Sequence, residues 1–354
     1  MQPRQYKGPA YFRRIGTLFL SLWIVVAAST PVGAQTDPAP DWLPALLEKE
    51  SITIVVTDSG LGGLSVVADA AEKFRTHPVF KQVNLVFFNA LFTNEGGYNS
   101  LLSREEKLKV FNSALQSMQE HFAPDVILVA CNTLSVLVPD TAFAGTSSVP
   151  VVGIVQNGVE QIAEQLRDKP SGKDILFATQ TTVDEGAHLE LLLDEGLGAG
   201  QVVTQACPQL TLHIEQGYDS TYTEMLIDAY VDEALSRTGE PAGPLYVSFN
   251  CTHYGYSLEL WQQAFTSRGV DVEAFLDPNT RMIDFLLPAS MRQRYPQSEV
   301  TVKMVSMIDV PADRQDSIGR YLHAISPATE TALREFELRP DLFEWRGLDS
   351  GTLK

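Results

Sequence analysis

Along the chain, short runs of apolar and β-branched residues alternate with stretches whose apolar positions recur every three or four residues. The runs predict buried strands and the recurrences predict amphipathic helices. Ser51 to Thr57 reads as a first strand, followed by a helix with Leu64, Val67, Ala68, Ala71 and Phe74 on one face. Val83 to Asn89 is a second strand. Ser103 then stands three positions before Glu106, a capping-box spacing that opens a helix with Leu108, Phe111, Leu115, Met118 and Phe122 on its core side. Ile127 to Ala130 and Val149 to Val155 follow as strands, with a helix through Val159, Ile162, Ala163 and Leu166. The alternation then starts afresh. Asp174 to Thr179, Gln201 to Ala206 and Leu245 to Asn250 read as strands, separated by helices through His188, Leu191 and Leu192 and through Met225, Leu226, Tyr230 and Leu235. Beyond Trp261 the pattern predicts strands over 270–275 and 300–305, a loop over 288–298, and helices over 314–325 and 328–335.

Strand and helix in regular alternation predict an α/β fold. Because the layout is traversed twice, the expectation is two pseudo-symmetric α/β lobes with largely parallel sheets and the active site in the cleft between them. The first lobe is expected over 51–152, completed by 265–354, and the second over 153–264.

The segment before Ser51 follows a different pattern. Arg4, Lys7, Arg13 and Arg14 precede an apolar run from Ile15 to Ser29, and Val32-Gly33-Ala34 ends it with small residues. This is the pattern of a cleavable signal peptide over 1–34, with a Pro- and Asp-containing linker over 35–50. Export, to a bacterial periplasm, is expected, without stable membrane association after cleavage. The whole chain carries 26 Lys and Arg against 44 Asp and Glu. Loss of four basic residues with the leader makes the remainder more acidic still. So acidic a surface argues against nucleic acid as a partner.

Only Cys131, Cys207 and Cys251 supply thiols. An odd number in a chain of this length is not a disulfide framework, and no Cys/His spacing suits zinc, so no metal site is expected. Cys131 and Cys251 each end a predicted strand and are each followed by hydrogen-bonding residues, Asn132-Thr133 and Thr252-His253. In open α/β sheets ligands bind at the carboxyl ends of strands. The commonest fate of a lone cysteine is packing in the core. Two at strand tips suit proton exchange at a carbon centre, in which one thiolate takes a proton from one face while the other thiol returns one to the opposite face. Each needs a partner to manage its proton, and Asp58 at the first strand's tip and His253 beside Cys251 are candidates. Asp58-Ser59-Gly60-Leu61-Gly62-Gly63 lacks the dinucleotide-binding spacing of glycines.

These motifs together resemble the glutamate racemases of the aspartate/glutamate racemase superfamily, over about 52–286. Asp58 to Ser65 is similar to the family's DSGxGGLS, Ala130-Cys131-Asn132-Thr133 to its first cysteine motif, and Cys251-Thr252-His253-Tyr254 to its second. Ala206-Cys207-Pro208 with Ile214-Glu215 and Gly217 is similar to ACPxxxxxVExG, and Thr179 with Thr182 to GTxxT. The resemblance implies cofactor-independent racemisation of a small amino acid, with Cys131 and Cys251 as the acid/base thiols. It implies Asp58 as the partner of Cys131, and Glu215 with His253 as partners of Cys251. Ser59, Tyr98, Asn132, Thr133, Thr182 and Thr252 would hold substrate, and Cys207 would be core.

The chain departs from the pattern at Gly97-Tyr98-Asn99, where the family has Pro-Tyr-Gly, at Gly255 in place of proline, and at His188 in place of a common tyrosine. The chemistry is therefore better supported than glutamate itself. Alternatives are an isomerase or decarboxylase acting on a dicarboxylate and a non-catalytic amino-acid-binding protein. A homodimer stays open.

Overall fold

The computed structural model describes residues 40–347 except 95, 199, 240 and 241. The signal-peptide reading of 1–34 lies outside the described residues. The linker reading of 35–50 does not hold throughout, because Leu43–Glu48 is a helix with Leu43 and Leu46 buried in the core. Pro44 suits the first helical turn, and leucines three apart give the turn one apolar side.

Ten strands form two sheets among the described residues. They are β1 (Ser51–Asp58), β2 (Gln82–Asn89), β3 (Val126–Val129), β4 (Val151–Gly153), β5 (Lys173–Ala178), β6 (Val202–Ala206), β7 (Leu245–Asn250), β8 (Ala274–Leu276), β9 (Glu299–Ser306) and β10 (Glu337–Leu338). The first sheet runs β10-β9-β2-β1-β3-β4 and the second β6-β5-β7-β8. Every pairing among them is parallel. Parallel strands are joined by crossovers that place helices on the faces, so central strands are apolar on both sides. β3 and β7 are buried at every position. The expected fold class, two α/β units with parallel sheets, is what the structure has.

Three boundaries differ from the hydropathy pattern. β4 is only Val151–Gly153, and a helix already begins at Val155. The strand expected over 270–275 starts later, at Ala274. Val270 instead caps the preceding helix Leu258–Ser267: its N–H reaches the carbonyl of Phe265, while Gly269, at φ +67°, reaches Thr266. This is the paired bonding of a Schellman cap, with glycine in the left-handed position. Where hydropathy alone leaves 265–354 with the first lobe, β8 pairs with β7 in the second sheet. The chain returns to the first sheet only with β9, beside β2. The expected capping box is present, with Ser103 accepting from the N–H of Glu106 and Glu106 accepting from that of Ser103.

Strand order places the functional loops. In the first sheet the chain leaves β1 toward β2 on one side, and β3 lies on the other, so the winding reverses between β1 and β3. In the second it reverses between β5 and β7. Crevices open at such reversals, beyond the carboxyl ends of the strands. Asp58 ends β1 and Cys131 follows β3, whereas Thr179 follows β5 and Cys251 follows β7.

Candidate active site

The two crevices share one cavity of about 210 Å³, which both thiols line. Asp58, Ser59, Tyr98, Asn132, Thr133, Thr182, Glu215, Thr252 and His253 also line it, so the structure brings every predicted site residue to one place. Cys207 lies apart, 2% exposed in the core. None of the three cysteines is in a disulfide.

On the first lobe, Cys131 sits just before the short helix Asn132–Ser135, and its Sγ lies 3.2 Å from Ser59 Oγ. Burial, and after it the charge of Asp58, push the Cys131 thiol up to about 12. At neutral pH this sulfur therefore carries its proton. Asp58 is itself buried, and desolvation raises its carboxyl to about 6 against the opposing effects of His253 and of Thr252. Thr252 donates to Asp58 Oδ2 at 2.7 Å, tying the second lobe's loop to the first lobe's carboxylate. At pH 7 Asp58 is mostly ionised and so able to accept a proton.

On the second lobe, His253 Nδ1 lies 3.8 Å from Cys251 Sγ and Nε2 lies 2.9 Å from Glu215 Oε1. Burial opposes a charged ring, but Cys251 and Glu215 together hold the imidazole well above its ordinary range. Glu215 is 5% exposed, although residue type alone would put it in solvent. Burial pushes its carboxyl up, yet His253, the Leu61 N–H at 2.9 Å and Arg314 outweigh it and hold the group below the usual carboxylate range. The short helix Leu210–Gln216 that carries Glu215 starts from Gln209 in the left-handed region, φ +63°. A non-glycine residue there is uncommon, and such positions persist where their surroundings over-determine them.

The two halves meet without spare room. A Cβ on Gly62 would lie 2.2 Å from Thr252 Oγ1 and 2.6 Å from His253 Nδ1, and one on Gly60 would lie 3.0 Å from Glu215 Oε1. Glycine at these turns is what lets the second lobe's proton partners reach the first lobe's backbone.

The same cavity is lined by groups able to hold a carboxylate. Thr133, Thr179 and Thr182 form a triangle of hydroxyls with edges of 3.0–3.2 Å. Asn132 Oδ1 is held by His188 Nε2 at 3.1 Å, which leaves its buried Nδ2 without a protein partner. Burial lowers His188 to about 4, so the ring is neutral and its Nε2 acts here as the donor. The hydroxyl of Tyr98 is likewise buried and unpartnered. Unsatisfied buried donors are costly unless a ligand completes them.

Sequence reasoning did not assign Arg314, Asn250 or His188 to the site. Arg314 lies beyond the segment of family resemblance and meets Glu215 only through tertiary packing. His188 could have been found, since it replaces a residue common in the motif. Asn250, next to Cys251, looked like the last residue of a strand.

The site thus comprises two parallel sheets, each presenting a thiol at the reversal of its strand order. No protein-family model matches the chain. Among known proteins it is 26% identical over 204 residues to the glutamate racemase of Sulfurihydrogenibium sp., covering 57% of this chain and 70% of that one. It is 28% identical over 203 residues to that of Chlorobium phaeobacteroides, covering 57% and 67%. The fold matches the glutamate racemase of Bacillus anthracis with a TM-score of 0.57 at 20% identity, over 78% of this chain and 96% of that one. It also matches that of Francisella tularensis in complex with D-glutamate, with a TM-score of 0.57 at 18% identity, over 78% and 95%. The chain is thus similar in sequence, and over most of its length in fold, to glutamate racemases.

Proposed function

We propose that the protein is a cofactor-independent racemase that interconverts L- and D-glutamate, or a closely related acidic amino acid, using Cys131 and Cys251 as its two bases. One observation carries the reading: two thiols at the switch points of two opposed sheets line one cavity, each with its own proton partner. The thiolate of one removes the α-proton and becomes a thiol. The other thiol gives its proton to the opposite face of the same carbon and becomes a thiolate. The net change is inversion at that carbon with exchange of its hydrogen, and no electron is gained or lost. Asp58 takes and returns the proton of Cys131. The imidazolium of His253, held charged by Glu215, is the positive neighbour that a sulfur needs to bear negative charge. Asn132 Nδ2, without a protein partner, and the threonine hydroxyls are the donors that would bind substrate carboxylate, and a D-glutamate complex of a structural relative supports an acidic amino acid as substrate.

Incubation with L-glutamate or L-aspartate in D₂O tests this. The α-position of a substrate is expected to gain deuterium while the opposite enantiomer appears, and Cys131→Ala or Cys251→Ala to lose racemisation by at least about 10³-fold. Full racemisation by Cys251→Ala would refute the two-base reading. Export to the periplasm after removal of residues 1–34 is part of the proposal, supported by the basic, apolar and small-residue order of that segment. N-terminal sequencing of the protein from a periplasmic fraction is expected to begin at Gln35, and recovery of Met1 only from cytosol would contradict it.

A further inference from the structure

The helix Ala312–Ile325 lies outside the family resemblance, yet it touches the site through a regular set of contacts. Arg314, Ser317 and Arg320 are three residues apart and lie along one side of it. Arg314 Nη1 meets Glu215 Oε2 at 3.1 Å, Ser317 Oγ accepts from the N–H of Tyr218 at 3.2 Å, and Arg320 makes paired bonds of 3.0 and 2.9 Å to Asp219. Tyr321 adds edge contacts to Tyr218 and Tyr256, with centroids 5.8 and 4.7 Å apart. Ser317, which is buried, and the Tyr321 ring contacts set the register of the helix so that the guanidinium of Arg314 falls on Glu215, whereas the Arg320 pair lies at the exposed end of the strip. Arg314 is also mostly buried, with a side chain 17% exposed, and lines the same cavity.

Glu215 divides its oxygens. Oε1 takes the Leu61 N–H and His253, and Oε2 takes Arg314. A carboxylate bound on one oxygen alone can rotate about its last bond; the Arg314 contact fixes that rotation and adds positive charge to the row Arg314–Glu215–His253–Cys251. We propose that Arg314 is a positioning residue for the second base: it orients Glu215, and through it His253, so that the proton partner of Cys251 stays in place. Among the described residues no hydrogen bond or ion pair joins Arg314 to Cys131 or Asp58, so its effect on Cys131 is indirect and smaller. The inference rests on the racemase reading, and its effect is weighted to one side where that reading is symmetric.

The test uses full-length mature protein with Arg314→Gln and Arg314→Lys, and Arg320→Gln as a control that loosens the same strip without touching Glu215. Cysteine labelling by iodoacetamide at pH 7, followed by mass spectrometry of the peptides, reads each thiol separately and does not need turnover. Arg314→Gln is expected to slow labelling of Cys251 severalfold and to change that of Cys131 much less. Arg314→Lys should recover most of the rate, and Arg320→Gln should behave as wild type. In turnover, Arg314→Gln should lower kcat by about tenfold or more with KM nearly unchanged. The α-deuterium isotope effect should rise for one enantiomer of the substrate only. Equal change at both cysteines, the same change in Arg320→Gln, or a rise in KM at constant kcat would overturn the proposal, the last marking Arg314 as a substrate contact. A wild-type protein without racemisation would defeat the racemase reading alone, because the labelling contrast stands independently.

Discussion

Asp58 illustrates how a residue's surroundings set its working range. Desolvation lifts its carboxyl to about 6, and in the proposed mechanism only the ionised form would accept the Cys131 proton. Racemisation measured as kcat/KM is therefore expected to fall as pH drops through about 6, tenfold for each further pH unit. Asp174 shows the same physics without a part in the chemistry. It is buried on β5 beside β7, accepts the Ser248 hydroxyl at 2.6 Å on one oxygen and leaves the other unpaired, and burial raises it to about 7. Its raised folded value contributes stability that is complete below the unfolded value and is lost as pH rises through about 7. Asp174→Asn removes the cost of charging, so it should raise thermal stability at pH 8, by up to a few kcal/mol, and bring no gain at pH 3. Thermal unfolding at the two pH values checks this. Gly62 is a steric case. Adding one methyl puts a carbon 2.2 Å from Thr252 Oγ1. Gly62→Ala should cost at least about tenfold in turnover while far-UV circular dichroism stays unchanged, since the displaced parts are the site loops and not the sheets.

At the scale of elements, local signals were legible wherever a helix or strand carries its own instructions. Ser103 and Glu106 announce a helix start, and the reciprocal bonds are present. Ser103→Ala should destabilise the protein by about 1 kcal/mol and leave kcat untouched, because the cap is remote from the thiols. Strand extents were less legible. Val270 looks like the start of a strand by residue type, but the Schellman cap of the preceding helix claims its N–H first. The helix 312–325 was visible by periodicity, whereas its role was not. What makes Arg314 part of the site is the register against Glu215, Tyr218 and Asp219, nearly a hundred residues away in sequence. Residues 43–48 were hidden for a related reason: a single apolar turn beside prolines is too short to stand out from a linker until the core covers it.

For the molecule as a whole, the doubled alternation of strand and helix was enough to imply two parallel α/β units, because parallel strands demand crossovers and the crossovers are written in the sequence. The cysteines are unpaired in the fold. Alkylation of unreduced, denatured protein is expected to label all three thiols, and a Cys131–Cys251 disulfide in active protein would contradict the arrangement.

The sequence by itself determined the candidates for the chemistry: thiols placed after strands, a carboxylate and an imidazole beside them, and hydroxyls able to hold a carboxylate. These are local facts of residue type and order. Only the tertiary structure decided their company. Strand order brought two separate tips to one cavity, and the glycines of β1's turn let the second lobe's histidine and glutamate press against the first. Packing of a late helix then gave Glu215 its second partner. Such pairings depend on the free energy of burying charges together in a closed core. That term exists only once distant segments are in contact, so no local pattern in the chain can announce it.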